Sequence, residues 1–454
     1  MYTLCTTLTY PGGNMRIAVV GSGIAGLGAA WLLRTRHEVT LYERNDYAGG
    51  HSNTLEVPTR NGTTPVDTGF MVFNHRNYPL LTGLFRHLNI GTQKTDMSFG
   101  VSIGDGRLEY AGSNLTTLMA QPRNWVSPTH YRMIADILRF NRAAKTLLVR
   151  GDLHGWTVAE FLAHGGYSSA FRNRYLLPMA AAIWSCPPQT MASFPALSLF
   201  RFFFNHGLLD ISNRPQWYTV TGGSRSYVRR MLKDMSGCLL VNRPVTTVQR
   251  LSTGVQVIDA SGEIGHYDAV VMAAHADESL RMLANPTARE KALLSQFAYQ
   301  PNRVYLHTDT ALMPRRMRVW SSWNYLAHEA AGKTQAVSVT YWMNRLQSLP
   351  TAPPIFVSLN PLEPPATHSV IAEMTYEHPV FDNGAMMAQQ ALHQLQGHDR
   401  LWFCGSYFGY GFHEDALNSA VAVASQFGVE VPWTQSETSG RDLPMRNQPD
   451  WVTT

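Results

Sequence analysis

Three glycines near the N-terminus have the spacing of a loop that binds phosphate groups. Gly21, Gly23 and Gly26 directly follow the apolar segment 16–20 (RIAVV) and lead into the segment 27–36 (LGAAWLLRTR), which has a helical composition. The first glycine permits a tight turn, the second lets the backbone approach a pyrophosphate, and the third lets a helix pack on a strand. The start of the helix adds free N–H groups and the positive end of its dipole. The pattern therefore predicts a dinucleotide site.

An acidic residue follows at the distance that such a site requires. The segment 38–42 (EVTLY) reads as a second strand, and Glu43 comes 17 residues after Gly26. A carboxylate in this place accepts hydrogen bonds from a ribose and repels a 2′-phosphate. The order strand, glycine turn, helix, strand and acid thus favours a dinucleotide without that phosphate, and NADP is disfavoured.

The residues that follow distinguish FAD from NAD. A second glycine pair, Gly49-Gly50, and the segment 66–70 (VDTGF) indicate that the backbone stays close to an extended cofactor, where an NAD-binding domain usually continues with βαβ units. No second GxGxxG preceded by a strand occurs in residues 60–454. We therefore predict FAD as the cofactor, a substrate C–H bond as the hydride source, and oxygen or a quinone as the acceptor.

Composition excludes several other classes of protein. Of the 454 residues, 44% are hydrophobic and only 15% are charged, which is not the composition of a disordered chain. The 37 basic and 32 acidic residues form no basic stripe with interleaved aromatics, so no nucleic-acid partner is expected. Cysteine pairs of the CxxC type and the HExxH motif are absent, which predicts no disulfide framework and no metal site.

The sequence also predicts the location of the protein in the cell. Residues 1–14 lack the charged start and apolar core of a secretory signal, and no apolar run approaches the ~20 residues of a membrane span. We expect a cytoplasmic protein, with peripheral contact at the inner membrane face as an alternative. The segment 200–204 (FRFFF) is the candidate for a membrane-facing or tunnel-mouth element, and a core helix is the competing interpretation.

The elements around these motifs change character along the chain. Residues 76–215 read as helical and aromatic, 239–274 as short strands, and 296–376 as strands alternating with proline-rich loops. A strand at 401–406 then leads through a loop of glycines and aromatics into a helix of small residues. An α/β fold, α+β overall, is the prediction.

Five motifs occur in the order found in one known superfamily: GSGIAGLGAAWLL (21–33), Glu43, AGGHSNT (48–54), YTVTGGSRSY (218–227) and CGSYFGYGFHEDALNSA (404–420). In these motifs the chain resembles the flavin-containing amine oxidases and carotenoid (phytoene) desaturases over about residues 15–430. More narrowly, SSWNYL (321–326), TYWMNRLQ (340–347) and FVSLNP (356–361) resemble a group of bacterial predicted NAD/FAD-binding flavoproteins. That group is similar to the N-terminal half of plant-type cyclopropane fatty acid synthases.

The resemblance implies an amine-oxidase-like two-domain fold. A Rossmann-like FAD-binding domain is then assembled from residues 15–75, 216–295 and 396–430. An inserted substrate domain with a mixed sheet and helices takes residues 76–215 and 296–395. Residues 1–14 would be an extension and 431–454 a tail.

The resemblance also implies roles for individual residues. The glycines at 21, 23 and 26 would bind the pyrophosphate, Glu43 the ribose, and Val245 the adenine by its backbone. The flavin end would be held by Gly405 and the start of the last helix. The implied cofactor-binding residues are Gly21, Gly23, Ile24, Ala25, Gly26, Glu43, Arg44, Gly49, Gly50, His51, Thr68, Gly69, Phe70, Val245, Gly405, Phe412 and Ala416.

Departures from the family pattern bear on the chemistry. His51 stands where the family often has Arg, and Ser406 where it often has an acid. Amine oxidases commonly place a Lys near the flavin N5, whereas the matching segment here is 301–304 (PNRV), which disfavours amine oxidation. Of the two aromatics that flank an amine in those enzymes, Phe412 matches one, and Tyr407 or Phe408 would be the other.

The candidate catalytic residues are Phe412, His413 and Glu414. A His–Glu pair beside the flavin would tune it or move protons. An equally good interpretation is a helix start with a negative residue in its first turn. An apolar substrate pocket is predicted from aromatic side chains, each of which has core packing as its alternative: Trp184, Trp320, Trp323, Tyr341, Trp342 and Tyr376.

Together these features predict an FAD-dependent oxidoreductase that oxidises or desaturates a hydrophobic substrate, an acyl lipid being favoured. The alternatives are an amine oxidase, a non-catalytic flavin-binding accessory protein of a lipid methyltransferase, and non-redox flavin chemistry such as isomerisation.

Overall fold

The computed structural model describes residues 13–59, 62–150, 155–184, 188–210, 214–327, 338–350 and 353–433. The extension up to residue 12 and the tail from residue 434 lie outside these ranges, as do Cys5 and Cys186. The first residues of the predicted tail are described, and Trp433 packs against Trp31 with ring centroids 6.2 Å apart.

A five-stranded parallel sheet forms the half of the molecule that contains the glycine loop. Its first strand lies in the middle of the sheet, paired with the second strand on one side and with 269–272 on the other. Three distant parts of the chain supply the strands, since parallel neighbours require crossover connections. In sheet order they are Leu239–Leu240, Glu38–Tyr42, Arg16–Val20, Ala269–Met272 and Leu401–Phe403.

Two helices cover this sheet and set the position of the glycine loop. The first helix, Ile24–Leu33, is buried along its whole length, as its uniformly apolar sequence predicts. It packs on the C-terminal helix, His413–Gln426. The contact is close because Gly28 has no side chain: a Cβ there would lie 2.8 Å from Leu417.

A seven-stranded, mostly antiparallel sheet forms the wall of the other half. In sheet order its strands are Val370–Val380, Ala298–His307, Phe356–Leu359, Ser338–Trp342, Trp323–Ala327, Phe99–Ile103 and Leu108–Ala111. The smaller sheets are Val245–Leu251 with Gly254–Asp259 and Ile264–Tyr267, Thr54–Thr59 with Gly62–Asp67, and Phe73–Asn74 with Trp217–Val220 and Thr92–Thr95.

The remaining α-helices of the described residues belong to the connections between strands. They are Pro79–His87, Leu115–Leu118, Pro128–Arg150, Val158–His164, Ser169–Phe171, Leu177–Trp184, Pro188–Ala192, Ala196–Asn205, Arg225–Asp234, Ala276–Met282, Ala288–Leu294, Met343–Leu346 and Asn383–Ala391. The predicted α/β fold, α+β overall, is confirmed. The expectation that 76–215 is helical was incomplete, because three strands lie between Thr92 and Ala111.

The FRFFF segment is core and not a membrane-facing element. It belongs to the helix Ala196–Asn205, in which Phe200, Phe202 and Phe203 are buried. Phe200 packs edge to face on Phe140. Within the described ranges, none of the helices combines the length and the apolar character that crossing a bilayer requires.

Candidate functional site

A cavity of about 1900 Å³ runs from the glycine loop to the seven-stranded sheet. Pockets for a single small molecule usually measure ~300–1,000 Å³, so there is room for an extended cofactor together with a substrate. One half is lined by the backbone of the glycine turns. The other half, the apolar chamber, is lined by side chains that include Met179, Ile183, Trp184, Leu208 and Trp323.

The glycine loop has the geometry that its sequence predicts. Gly21 has a φ of +101°, which favours glycine, and a Cβ there would lie 2.9 Å from the carbonyl oxygen of Ala273. Gly26 touches the same turn from behind, because a Cβ on it would lie 1.8 Å from the Gly21 oxygen. Gly23 has open space beside it, and it lines the cavity together with Ile24 and Ala25. The start of the first helix is thus left accessible to an anion.

Glu43 is held at the end of the second strand. The N–H and the hydroxyl of Ser22 donate to its Oε2 at 3.1 and 2.5 Å, and the N–H of Asn45 donates to its Oε1 at 2.8 Å. The carboxylate is 6% exposed and lies on the cavity wall. Each oxygen accepts a second hydrogen bond readily, so ribose hydroxyls remain acceptable partners. The serine inside the glycine motif therefore orients the acid, a role that spacing alone does not reveal.

Most of the implied cofactor-binding residues line the cavity. They are Gly21, Gly23, Ile24, Ala25, Glu43, Arg44, Gly50, His51, Thr68, Gly69, Phe70, Val245, Gly405, Phe412 and Ala416. Gly26 and Gly49 are not on the wall. Gly49, with a φ of +120°, turns the backbone beside Val228, and so both glycines shape the backbone behind the wall.

Two neutral imidazoles face each other in the middle of the cavity wall. The rings of His51 and His378 lie 5.4 Å apart at an interplanar angle of 29°. Within the described part of the chain, Nε2 of His51 is buried without a hydrogen-bond partner. Burial lowers the pKa of His378 to about 4, and burial together with His378 lowers the pKa of His51 well below its ordinary value. Both rings are uncharged at neutral pH.

The tautomer of His378 follows from a chain of hydrogen bonds that starts at the backbone. The N–H of Arg303 donates to Oδ1 of Asn360, whose Nδ2 must then donate to Oδ1 of Asn302 at 2.7 Å. Nδ2 of Asn302 donates to the carbonyl of Gln300 at 2.9 Å and to Nδ1 of His378 at 3.2 Å. Since Nδ1 accepts a hydrogen bond, the neutral ring carries its proton on Nε2. Asn302 and His378 were not singled out by sequence, because 76 residues separate them.

His413 stands at the opposite side of the same region. Its ring stacks on Phe70 with centroids 3.8 Å apart, and its Nε2 is shared between the hydroxyls of Ser52 and Tyr227 at 2.9 and 3.0 Å. Burial lowers the pKa of His413 to about 3. The residue lines the cavity as predicted, but as a fixed, neutral ring.

Glu414 points away from the cavity. Its two oxygens accept hydrogen bonds from the N–H groups of Leu80 and Leu81 at 2.7 and 3.0 Å, in the first turn of the helix Pro79–His87. The carboxylate therefore caps a neighbouring helix, which favours the structural interpretation over the catalytic one. Burial raises the pKa of Glu414 to about 8. The next residue, Asp415, accepts from the N–H groups of Tyr410 and Phe412.

The predicted aromatic pocket is found in part. Trp184, Trp323, Tyr341 and Tyr376 line the cavity, and Phe412 stacks on Phe202 at 5.0 Å beside them. Tyr407, but not Phe408, also reaches the wall.

Trp320 and Trp342 were wrongly assigned to this pocket. Successive residues of a strand point to opposite faces, so Tyr341 faces the cavity and Trp342 faces away. Trp342 packs instead on Trp320 with ring centroids 5.5 Å apart. The indole nitrogen of Trp320 donates to the carbonyl of Pro314 at 2.7 Å.

Four carboxylates lie on the described cavity wall, and two of them form ion pairs with arginines. They are Glu43, Asp96, Glu278 and Glu377. Arg345 pairs with Asp96 and Arg44 with Glu278, while Ser22 and Asn45 donate hydrogen bonds to Glu43. Glu377 lies 3.5 Å from Nδ1 of His275, whose pKa is lowered by burial.

One group on the wall has atoms of the kind that bind metals. His275, Glu278 and Glu377 bring one ligand atom each within 4.8 Å of one another. Arg44 already pairs with Glu278, so this carboxylate has a cation without a metal ion.

Fold and cavity together define a class of protein. A parallel sheet with a glycine loop of phosphate-binding geometry, an acid at its second strand and a large apolar chamber beside them is the arrangement of a dinucleotide-binding protein. Residues 24–376 match the family model described as flavin containing amine oxidoreductase. The chain belongs to this family.

Curated relatives match over part of their length. One is assigned as the flavin-containing monoamine oxidase AofH of Mycobacterium tuberculosis strain H37Rv, 27% identical over 276 residues, which are 57% of each chain. Another is the carotenoid phi-ring synthase of Streptomyces griseus, 26% identical over 289 residues, or 61% of this chain and 55% of the relative. The chain thus matches little more than half the length of these relatives.

Solved structures share the fold over nearly the whole chain. A putrescine oxidase variant superposes with a TM-score of 0.64 at 17% identity and covers 92% of this chain and 99% of its own. A fatty acid isomerase from P. acnes that produces CLA gives a TM-score of 0.63 at 15% identity, covering 91% and 99%. At these identities the similarity concerns the fold alone.

Proposed function

We propose that the protein removes a hydride from a hydrophobic substrate, in the first place an acyl lipid, and passes the electrons to oxygen or a quinone. The observation that carries this proposal is the apolar chamber, on whose wall apolar side chains such as Met179, Ile183 and Leu208 lie. An ammonium ion would lose its hydration against these side chains. An acyl chain would gain about 0.8 kcal/mol for each CH₂ group that it buries.

The glycine half of the cavity fits FAD, and we assign its residues accordingly. Gly21, Gly23 and the start of the first helix would hold the pyrophosphate, and Glu43 the ribose of the adenosine. The backbone at Val245 would face the adenine, and the start of the C-terminal helix at Phe412 would face the flavin. Bound FAD supplies the acceptor for two electrons.

The chain's own residues would then set the environment of the reaction. The three neutral imidazoles of His51, His378 and His413 place no positive charge beside the reacting C–H bond. Trp184 and Phe202, with ring centroids 4.6 Å apart, exclude water from the chamber side. An apolar substrate offers few groups for hydrogen bonding, so packing against the chamber wall must orient it.

A chamber-filling variant tests the proposal. Ile183 is only partly buried and lines the chamber, so Ile183→Trp fills space that a chain would occupy. We expect at least a tenfold lower kcat/KM for long acyl substrates with unchanged FAD content. Ile371→Trp, at a 38% exposed position away from the cavity, is the matched control. Equal effects of the two substitutions would contradict the proposal.

Two other functions have some support. The name of the mycobacterial relative, together with Phe412 and Tyr407 on the wall, supports an amine oxidase. The isomerase that shares this fold supports a reaction in which product forms without net consumption of an electron acceptor. The accessory role beside a methyltransferase rests on the sequence resemblance alone, and it predicts that bound FAD resists reduction by every substrate tested.

A further inference from the structure

The net charge of the chain is concentrated in one stretch. Residues 106–150 contain seven Arg or Lys and two acidic residues. The net charge of this stretch therefore equals the net charge of the whole chain, +5. Both acids are buried, with Glu109 at 0% and Asp136 at 2% exposed. The stretch therefore presents positive charge to solvent. Its exposed arginines are Arg107, Arg123, Arg132, Arg139, Arg142 and Arg150, of which Arg132 and Arg139 form ion pairs with Asp136.

Large apolar side chains are exposed in the same stretch. Leu115, Trp125 and Val126 are 62%, 53% and 80% exposed, and Tyr131 is 47% exposed. The hydroxyl of Tyr131 donates to the carbonyl of Trp125 at 3.0 Å, and the indole of Trp125 donates to the carbonyl of Met119 at 3.1 Å. These contacts hold Trp125, Val126 and Tyr131 together, and with Leu115 we call the four residues the apolar patch.

The helix Pro128–Arg150 extends the patch as a stripe. Tyr131, Leu138, Arg142 and Val149 are exposed and follow at intervals of seven, four and seven residues, which places them on one face. The helix has 23 residues and is therefore about 35 Å long. A side that carries exposed Tyr, Leu and Val among arginines is typical of helices that lie in a membrane interface.

The patch also borders the cavity. Leu115 lines the cavity wall together with its neighbours Asn114 and Leu118, although it is 62% exposed. The same residue thus belongs to the apolar chamber and to the outer surface. A molecule leaving a bilayer beneath the patch would meet this opening directly.

We propose that the apolar patch and the exposed arginines of residues 106–150 dock the protein on an anionic lipid bilayer with the cavity opening toward the lipid. The apolar side chains would enter the interface, and the arginines would contact headgroup phosphates. A second copy of the chain is disfavoured as the occupant, because a symmetric contact would bring the two positive surfaces together. The docking does not depend on which substrate is oxidised.

Vesicle sedimentation with the full chain tests this surface. At low ionic strength we expect binding to vesicles that contain phosphatidylglycerol, little binding to pure phosphatidylcholine, and release by high salt. Neutralising Arg142 and Arg150 together to Gln should weaken binding by roughly fivefold per residue. Trp125→Ser with Val126→Ser should weaken it at high and low salt alike, because the lost contacts are apolar.

Matched controls keep the test independent of folding and of the proposed reaction. Arg229→Gln with Lys233→Gln, and Ile264→Ser with Met387→Ser, change exposed residues of the same types elsewhere and should leave binding unchanged. FAD content reports folding of each variant. Absence of binding at low salt, or equal effects of patch and control variants, would overturn the docking surface. A dimer in solution that the Trp125→Ser variant dissociates would overturn it in favour of self-association.

Discussion

The side-chain amide of Asn302 donates a hydrogen bond to Nδ1 of His378 at 3.2 Å, and the proton of that imidazole is thereby kept on Nε2. Asn302 is completely buried beneath the cavity wall, on the strand where the resemblance leads one to expect a Lys. The strand contributes an uncharged donor here, and the ring that it orients lies on the wall. A neutral donor on this strand thus orients a neutral imidazole on the cavity wall.

Histidine NMR tests this relationship without any reference to turnover. In protein labelled with ¹⁵N-histidine at pH 7, we expect the His378 ring to show an unprotonated Nδ1 and a protonated Nε2. His378→Gln assigns the signals by removing them. Asn302→Asp should move the proton to Nδ1, because a carboxylate accepts and cannot donate. The opposite tautomer in the wild type would contradict the hydrogen-bond chain.

The turn at Gly21 should not tolerate a side chain. Gly21→Ala forces a φ of +101° on alanine and brings Cβ within 2.9 Å of the Ala273 oxygen. Strain of this kind costs roughly 1–3 kcal/mol, and the shifted turn no longer cradles a phosphate. We expect FAD affinity at least tenfold lower, measured by absorbance after dialysis. Gly13→Ala, where a Cβ meets nothing within 4 Å, serves as the control and should retain FAD.

Glu414 should affect stability more than chemistry. Its carboxylate accepts two N–H groups of the helix Pro79–His87, and Glu414→Ala should cost about 1–2 kcal/mol in unfolding experiments. Glu414→Gln keeps one acceptor oxygen and should leave the rate of anaerobic flavin reduction within about threefold of the wild type. A loss of 10²-fold or more, as expected for a general base, would restore the catalytic interpretation.

The pH dependence of stability is a second test of the environment of Glu414. Burial raises the pKa of Glu414 from 4.5 to about 8, so the folded protein binds more protons than the unfolded chain between these values. Stability from this group is complete below pH 4.5 and is lost as the pH rises through 8. Compared with Glu414→Gln, the wild type should lose roughly 3–4 kcal/mol between pH 5 and 8 in urea titrations. If the stability difference between the wild type and Glu414→Gln does not change with pH, the pKa of the Glu414 carboxyl group is not raised.

The sequence is sufficient to predict the structure where the pattern is local. The strands at 16–20 and 38–42, the glycine turn between them and the acid after them are contiguous, and the structure places them as predicted. Residues whose meaning depends on distant partners were harder to interpret. The sequence suggests that Glu414 is an acid beside the flavin, whereas the structure shows that it binds the start of the helix Pro79–His87. Trp342 and Tyr341 are adjacent aromatic residues, and only the structure shows which of them faces the cavity.

The strands between Thr92 and Ala111 show the same limit. Their short segments carry a weak alternating pattern, and they become strands because they complete sheets started elsewhere, pairing with 217–220 and 323–327. The hydrogen-bond chain also joins residues from three separate strands or loops: Asn302, Asn360 and His378. Their spacing in the sequence therefore does not predict this chain.

In the proposed reaction, an apolar substrate lies in the chamber and loses a hydride there. The most direct measurement is anaerobic bleaching of the flavin absorbance by a panel of acyl lipids, carotenoids and amines, under identical conditions and with the FAD-loaded full chain. We expect acyl lipids to bleach the flavin, amines to leave it oxidised, and Ile183→Trp to slow the lipid reaction at least tenfold. Rapid bleaching by amines with none by lipids would contradict the account.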